Sequence, residues 1–396
     1  MFVPFFRYFF SYIFFGKHKQ GLLRLALIGL TLSSMALLIL QSTMGGLQRN
    51  LITRSKNING HGFLRLPHDL PFESAKTLVA FLRAENLNAF PEYEIELLLR
   101  HQGQLAPAIV HGLDPALTPP FLENHLASSN GGSTIIGSEL AYKLRVGLSS
   151  QISLISPSHT NSILEDIPRQ VTTFVDESIT TDVPENDAFH LWTRLSLITN
   201  LTHERLYNRI RIYTPFEKES LQTLLTEKSP LKIPPLEIVT WEQENDALVW
   251  AMNLETKVMI FLFIIMTMLV GVAITSGLML FFEKIQLDLV SFWLLGSSKK
   301  QLTQGANHLI HLASALASIL GLLLGAAALL LLDRYAPNLM PDIFVDQKIP
   351  VHITLGGVLL SFAIPYLMAI LFSSISLGNF KRDTRSFTEQ IRSTVR

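Results

Sequence analysis

Apolar residues in this chain are gathered into four long runs. Leu25–Gln48, Val258–Phe282, Gln301–Leu332 and Ile349–Phe380 contain no Asp, Glu, Lys or Arg. Each exceeds the roughly 20 residues that a helix needs to cross a hydrocarbon core. A surface helix of a soluble domain carries a polar stripe, and these carry none. The pattern predicts four transmembrane helices, over 21–48, 258–282, 301–332 and 349–380. The third and fourth runs outlast one crossing, so their ends lie at or beyond the interface. The first is read as an uncleaved signal-anchor, because Gln41-Ser42-Thr43-Met44 offers no small-residue cleavage site. Residues 1–20, rich in Phe and Tyr, are expected to form a cytoplasmic or interfacial helix.

The long polar stretch 49–257 reads differently. Gly62–Leu66 predicts a strand, Ser74–Arg83 a helix and Glu94–Leu99 a strand. Asn208–Tyr213, Glu217–Leu225 and Leu236–Thr240 repeat that order near its end. Between the two lie Gly, Pro and Ser clusters and short β-type runs such as Gln151–Ile155 and Gln170–Val175. The expected fold class is therefore an α-helical membrane protein with four transmembrane helices and a large periplasmic α/β domain carrying a mostly β insertion. The split α/β part covers about 55–105 and 205–245, and the β-rich insertion about 106–204. A short periplasmic loop (333–348) and a cytoplasmic tail (381–396) complete the division.

Charge orients these segments. Residues 1–24, the loop 283–300 and the tail after Phe380 together hold 12 bases and 4 acids. Since the chain has 32 of each, the remainder holds 20 bases and 28 acids. The zero net charge is a cancellation between two oppositely charged sides. The short segments carry the positive excess, which places both termini in the cytoplasm and 49–257 on the opposite side of the membrane.

Composition narrows the chemistry. Of 396 residues, 48% are hydrophobic and 16% charged, and none is Cys. Disulfides, iron–sulfur clusters, cysteine-ligated zinc and cysteine nucleophiles are excluded. No Walker-type phosphate loop, His-Glu-x-x-His helix or Gly-x-Ser-x-Gly elbow is present. No metal site and no catalytic residue is expected, nor is nucleic-acid binding. His308 and His311 share a face of the third span, where polar helix–helix contact is favoured over a proton or metal site. The uncharged span interiors argue against ion-coupled transport, so energy is expected to enter through a partner. Gly271, Ala273 and Gly277 on the second span suit close helix packing.

The loop 283–300 predicts an amphipathic helix. Ile285, Leu289 and Phe292 recur at helical spacing, followed by Leu295, with Gly296 as its C-terminal stop. Such a helix suits either the inner leaflet surface or docking into a cytoplasmic partner.

Several segments resemble a known family. Met44-Gly45-Gly46-Leu47-Gln48-Arg49-Asn50-Leu51 is similar to the Met-Asn-Gly-Phe-Gln-Arg-Glu-Leu pattern of lipoprotein-releasing permeases. Gly112-Leu113-Asp114-Pro115 resembles their Gly-Val/Ile-Asp-Pro turn. Ile135–Ala141 with Val146-Gly147 and Ile152–Pro157, and Thr240–Asn245 with Leu254-Glu255 and Val258-Met259, match further segments in order. Glu283–Ser298 resembles the coupling-helix segment. It departs at Gln286, Leu287 and Trp293, where the family carries more charge, and Gly147-Leu148 replaces a Gly-Asp. The chain thus resembles the LolC/LolE permeases, within the wider group that includes the MacB and FtsX membrane proteins.

That resemblance implies a permease subunit of an ATP-driven complex. It would extract lipoproteins from the inner membrane and pass them to a periplasmic carrier by mechanical transmission. It implies a cytoplasmic ABC ATPase dimer, a second permease subunit, identical or paralogous, lipoprotein cargo and membrane lipid as partners. ATP and Mg would sit in the ATPase, with no cofactor in this chain. Asp288, Phe292, Trp293, Leu294 and Gly296 are the expected ATPase-coupling residues. A lipid-anchor cavity is expected between the first span of one subunit and the second span of the other. Its candidate lining is Leu37, Leu40 and Met44 with Phe261, Ile264, Ile265 and Met268, whose apolar and adaptable side chains suit acyl chains. Ordinary lipid-facing or packing roles are the plainer alternative for each. Rival readings are an FtsX-like regulator of cell-wall hydrolases, a MacB-like efflux mechanotransmitter, and a membrane-anchored enzyme.

Overall fold

The computed structural model describes residues 21–122, 134–161, 167–228, 230, 236–284, 299–335 and 349–382. The chain divides into two compact units. One comprises Met1–Arg49 and Ala251–Arg396, and the other Asn50–Trp250.

Among the described residues the helical unit has four helices long and apolar enough to cross a membrane. α1 spans Gly21–Asn59. The other three are numbered below after the helices of the intervening unit: α8 (Asp246–Lys284), α9 (Lys299–Tyr335) and α10 (Leu355–Arg382). α1 and α8 have 39 residues each, about 58 Å of helix, and the division between units falls inside both. The second crossing therefore belongs to a helix that begins 12 residues earlier than the run Val258–Phe282 suggested. Just ahead of it, a capping box starts the short helix Trp241–Glu244: the Thr240 hydroxyl accepts from the Gln243 amide, and the Gln243 side chain accepts from the Thr240 amide.

Small residues let these helices approach closely. A Cβ at Gly321 of α9 would run into the Thr31 carbonyl of α1, and one at Gly271 of α8 into the Phe372 ring of α10. Gly277 lies against the Leu23 backbone. Pro365 sits inside α10. Having no N–H, it leaves the carbonyl four residues back, that of Ser361, without its helical donor. The Ser34 hydroxyl of α1 donates to that carbonyl at 2.8 Å, and also lies 3.1 Å from the Ser318 carbonyl of α9.

Among the described residues the α/β unit contains nine strands. They are β1 (Gly62–Arg65), β2 (Ala89–His101), β3 (Gln104–Leu113), β4 (Thr134–Gly137), β5 (Gln151–Asn161), β6 (Ile167–Ile179), β7 (His190–Arg194), β8 (Arg209–Ile212) and β9 (Glu237–Thr240). The helices are α2 (Phe72–Ala84), α3 (Ser138–Leu144), α4 (Pro184–Phe189), α5 (Leu195–Thr202), α6 (Lys218–Lys228) and α7 (Trp241–Glu244). β1-α2-β2 and β8-α6-β9 interleave as a split βαβ pair. Their strands lie in the order β2-β8-β1-β9, all antiparallel neighbours. The remaining pairings return on themselves: β2 to β3, β3 to β7, β7 to β4, β4 to β6, β6 to β5, and β5 back to β2. Six strands thus form a closed ring.

β2 belongs to both parts. Its first residues, Ala89–Glu92, pair with β8, and Leu98–Arg100 pair with β5. The alternation that fills a two-faced strand puts Leu97, Leu99, Ala106, Ala108 and Val110 into the core with Ile152 and Leu191. Leu78 and Leu82 of α2 and Ile198 and Leu201 of α5 pack on the same core.

Candidate functional site

The resemblance-bearing segments have definite structural duties. Gly137 ends β4 where the chain crosses the Asn186 and Asp187 carbonyls, leaving no room for a Cβ. Asp114 Oδ1 accepts from the Ala116 amide, and its Oδ2 accepts from the Tyr207 hydroxyl at 3.2 Å. Trp241 is fully buried, and its indole N–H donates to the Ser55 hydroxyl at 2.9 Å. Glu242 pairs with Lys56 at 2.7 Å. Glu244 reaches a network of buried charge.

That network lies where β2 leaves β8. Period-two geometry puts Glu92 and Glu94 on one face of β2, and Arg209 and Arg211 on one face of β8. Register places Glu92 opposite Arg209, and Glu94 opposite His111 of β3. Arg211 is buried; it donates to Glu92 through Nε and to Glu94 and Glu244 through Nη2, at 2.7 and 3.2 Å for the latter two. Arg209 donates to Glu94 at 2.8 Å. His111 Nδ1 faces Glu92 at 3.2 Å, and its Nε2 lies 2.8 Å from His190 Nδ1. Trp192 stacks on both rings. Asn208 closes the gap between the strands, donating to the Glu94 carbonyl at 2.7 Å and accepting from the Glu94 amide at 2.9 Å.

Burial alone would raise the Glu92 carboxyl, but Arg211, His111 and Arg209 overrule it and hold the group down at about 2. Burial likewise opposes the Arg211 charge, and Glu92, Glu244 and Glu94 push it well above its ordinary value instead. His190 is held well below 6.5, first by burial, then by its neighbours His111 and Arg211. Glu92, Glu94 and His111 bring three metal-type ligand atoms within 4.8 Å of one another. Yet the guanidinium groups of Arg209 and Arg211 already occupy those carboxylates. An added cation would meet two fixed positive charges, so the cluster is built as an ion-pair network that pins β2 to β8 and β3.

In the helical unit the expected cavity residues separate by exposure. Leu37 is 0% exposed and belongs to helix packing within the chain, while Leu40 is 42% exposed. Met44 is half-buried. On α8, Phe261, Ile265 and Met268 are 60%, 41% and 50% exposed, and Ile264 is half-buried beside them. The spacing of Phe261, Ile265 and Met268 puts them on one face. α1 and α8 run antiparallel: Gly29 meets Val270, and the Gln48 amide reaches the Met252 carbonyl. Leu37 and Leu40 thus stand roughly level with the first turns of the Phe261 face. The two sets overlap in depth only around Leu37, Leu40 and Phe261. The expected ATPase-coupling residues Asp288, Phe292, Trp293, Leu294 and Gly296 lie outside the described residues, as do residues 1–20 and 383–396.

Sequence reasoning missed three features. The Glu92-x-Glu94 and Arg209-x-Arg211 pairs were legible as like-faced charges on predicted strands, although their mutual register was not. Gly321-x-x-x-Gly325 carries the small-residue spacing of close helix pairs. Pro365 and its partner Ser34 had no shared local signal.

No protein-family model matches the chain, and no curated protein matches it. Among solved structures, it is similar to the extracellular domain of the noncanonic ABC-type transporter YknZ from Gram-positive bacteria. That likeness has a TM-score of 0.28 and 8% identity, over 45% of this chain and 97% of that one. It is also similar to the periplasmic region of MacB from Actinobacillus actinomycetemcomitans. There the TM-score is 0.30 and the identity 9%, over 50% of this chain and 97% of that one.

Proposed function

We propose that this chain is the membrane subunit of an ATP-driven ABC complex of the MacB/FtsX-like kind. In this reading it extracts lipid-anchored proteins from the inner membrane and hands them to a periplasmic carrier. The observation that carries the reading is the architecture. A folded α/β unit, Asn50–Trp250, is inserted between the first and second of four span helices, and no span interior holds an acid or a base. Such a chain has no ion-coupling groups of its own and no nucleotide loop, so work on its cargo must be driven from a partner.

Extraction of a lipid anchor costs about 0.8 kcal/mol per methylene exposed to water. An apolar surface that shields the chains lowers that cost. The exposed Phe261, Ile265 and Met268 face offers one, with Leu40 at neighbouring depth on α1. A second permease subunit would cover it from the other side. In this mechanism Asp288, Phe292 and Trp293 receive the stroke of the ATPase, and the spans carry it.

The test is isolation of the full chain from its own membranes in mild detergent, with mass spectrometry of the retained proteins. An ABC ATPase with acylated lipoproteins is the expected result. An ATPase with peptidoglycan hydrolases and no lipoproteins would replace this reading with the FtsX-like regulator. An ATPase with an efflux conduit would replace it with a MacB-like mechanotransmitter. Retention of no ATPase would overturn energy coupling altogether.

A further inference from the structure

A groove of about 320 Å³ lies between α1 and α9. Its walls include Ile28 and Thr31 of α1, and Leu312, Ala313 and Leu316 of α9. The Thr31 hydroxyl is turned back onto the Leu27 carbonyl at 3.0 Å, so the wall presents hydrocarbon. The lining runs along α9 from Leu309 to Leu320, about 16 Å of helix, a length suited to most of an acyl chain.

Arg24 stands at one end of this lining, just ahead of the uncharged run of α1. Its Nε is buried and has no hydrogen-bond partner among the described residues. No carboxylate is available from its own sequence surroundings: residues 1–24 and 299–332 hold no Asp or Glu, while Arg7, Lys17, Lys19, Lys299 and Lys300 add positive charge. A guanidinium at the level of the headgroups, with a greasy slot below it, matches one ligand class. Its forked N–H groups suit phosphate, and the slot suits a fatty chain.

We propose that the groove between α1 and α9 is a binding site for an anionic phospholipid, with Arg24 on the phosphate and one acyl chain along Ile28, Ala313 and Leu316. The site lies on different helix faces from the Phe261, Ile265 and Met268 surface, so it goes beyond the proposed function and does not depend on the cargo. The anionic headgroup follows from the unpartnered Arg24 Nε and from the lack of any carboxylate in residues 1–24 and 299–332. A zwitterionic lipid would bring its own cation beside it.

The experiment is native mass spectrometry of the full chain released from detergent after exposure to an equimolar mixture of phosphatidylglycerol and phosphatidylcholine. The wild-type chain is expected to retain phosphatidylglycerol over phosphatidylcholine by a factor that Arg24→Gln lowers about fivefold, the effect of one basic side chain at a membrane surface. Arg24→Lys should keep most of the preference. Ala313→Phe, which fills the slot, should reduce retention of both lipids. Arg334→Gln, at the far end of α9, should change neither. A preference unaltered by Arg24→Gln, with Ala313→Phe also silent, would overturn the site. Lipid retention that appears only after deletion of residues 1–16 would assign the groove to that segment and overturn it equally.

Discussion

The Ser34 hydroxyl donates to the Ser361 carbonyl across two helices, at 2.8 Å, where Pro365 has removed the helical donor. An unsatisfied carbonyl inside a membrane is costly, and a side chain on a neighbouring helix is one of the few ways to satisfy it. Ser34→Ala is therefore expected to destabilise the helical unit by about 1 kcal/mol. Pro365→Ala restores the missing N–H, so the same Ser34→Ala change should cost clearly less in that background. A double-mutant cycle on thermal unfolding in detergent reads the difference. Equal costs in the two backgrounds would sever the link between the two residues.

Close helix approach at Gly321 gives a second expectation. Gly321→Leu forces a side chain into the Thr31 backbone, and overpacking of this kind costs about 1–3 kcal/mol. Gly45 has open space around it, so Gly45→Leu should leave the unfolding temperature nearly unchanged. Similar losses from both changes would mean that the contact is not the cause.

Removing one partner of the buried network should be severe. Arg211→Met strands buried Glu92 and removes one of the two guanidinium groups that Glu94 and Glu244 share, at a cost of about 3–5 kcal/mol. Chelators should leave the unfolding temperature of the wild-type chain unchanged, because guanidinium groups already neutralise the carboxylates. A drop with EDTA that zinc restores would convert the network into a metal site.

Acid should erode the α/β unit in two stages. His190 is depressed in the folded chain, so its contribution is complete above its ordinary value of 6.5 and is lost as pH falls below it. Glu92, held at about 2, contributes stability that is complete above its ordinary 4.5 and disappears as pH falls toward 2. Thermal unfolding of the full chain between pH 7 and pH 3 checks the order. His190→Asn should flatten the first stage only, and stability that rises between pH 7 and pH 5.5 would contradict the assignment.

Exposure also separates the proposed cargo face from the packed interior. A photo-reactive benzoylphenylalanine at Phe261 or Met268 should capture lipid or lipoprotein in membranes, whereas the same probe at Leu37 should capture neighbouring helix. Equal capture of lipoprotein at Leu37 would show that the face is misassigned.

Much of this was readable from the amino acids because its physical causes are local. Uncharged length marks the spans. Strand and helix periodicity marks β1-α2-β2 and β8-α6-β9, whose observed bounds fall within a few residues of the predicted ones at Gly62, Arg209 and Glu237. β2 proved longer than the alternation at Glu94–Leu99 suggested, because its two ends serve different neighbours, β8 and β5. That doubling is set by pairings with residues more than fifty positions away, which no window along the chain contains. The same holds for the six-strand ring, for Glu92 with Arg211, and for Ser34 with Ser361. Leu37, chosen with Leu40 for its apolar chemistry, shows the limit at the side-chain level. Spacing sets the face of a helix, but the neighbouring helices decide which face is covered.

β1, near the start of the α/β unit, is flanked by β8 and β9, near its end. During synthesis it must wait for nearly the whole unit to be translated before either edge finds its mate. Completion of the sheet therefore coincides with emergence of the second membrane helix from the ribosome. Pairings so distant in sequence are slow to form, and until then β1 is an open edge for wrong partners. Biogenesis of this protein is thus paced by its last short strand, Glu237–Thr240. A stall placed after that strand should yield a protease-resistant unit, and a stall placed before it should not.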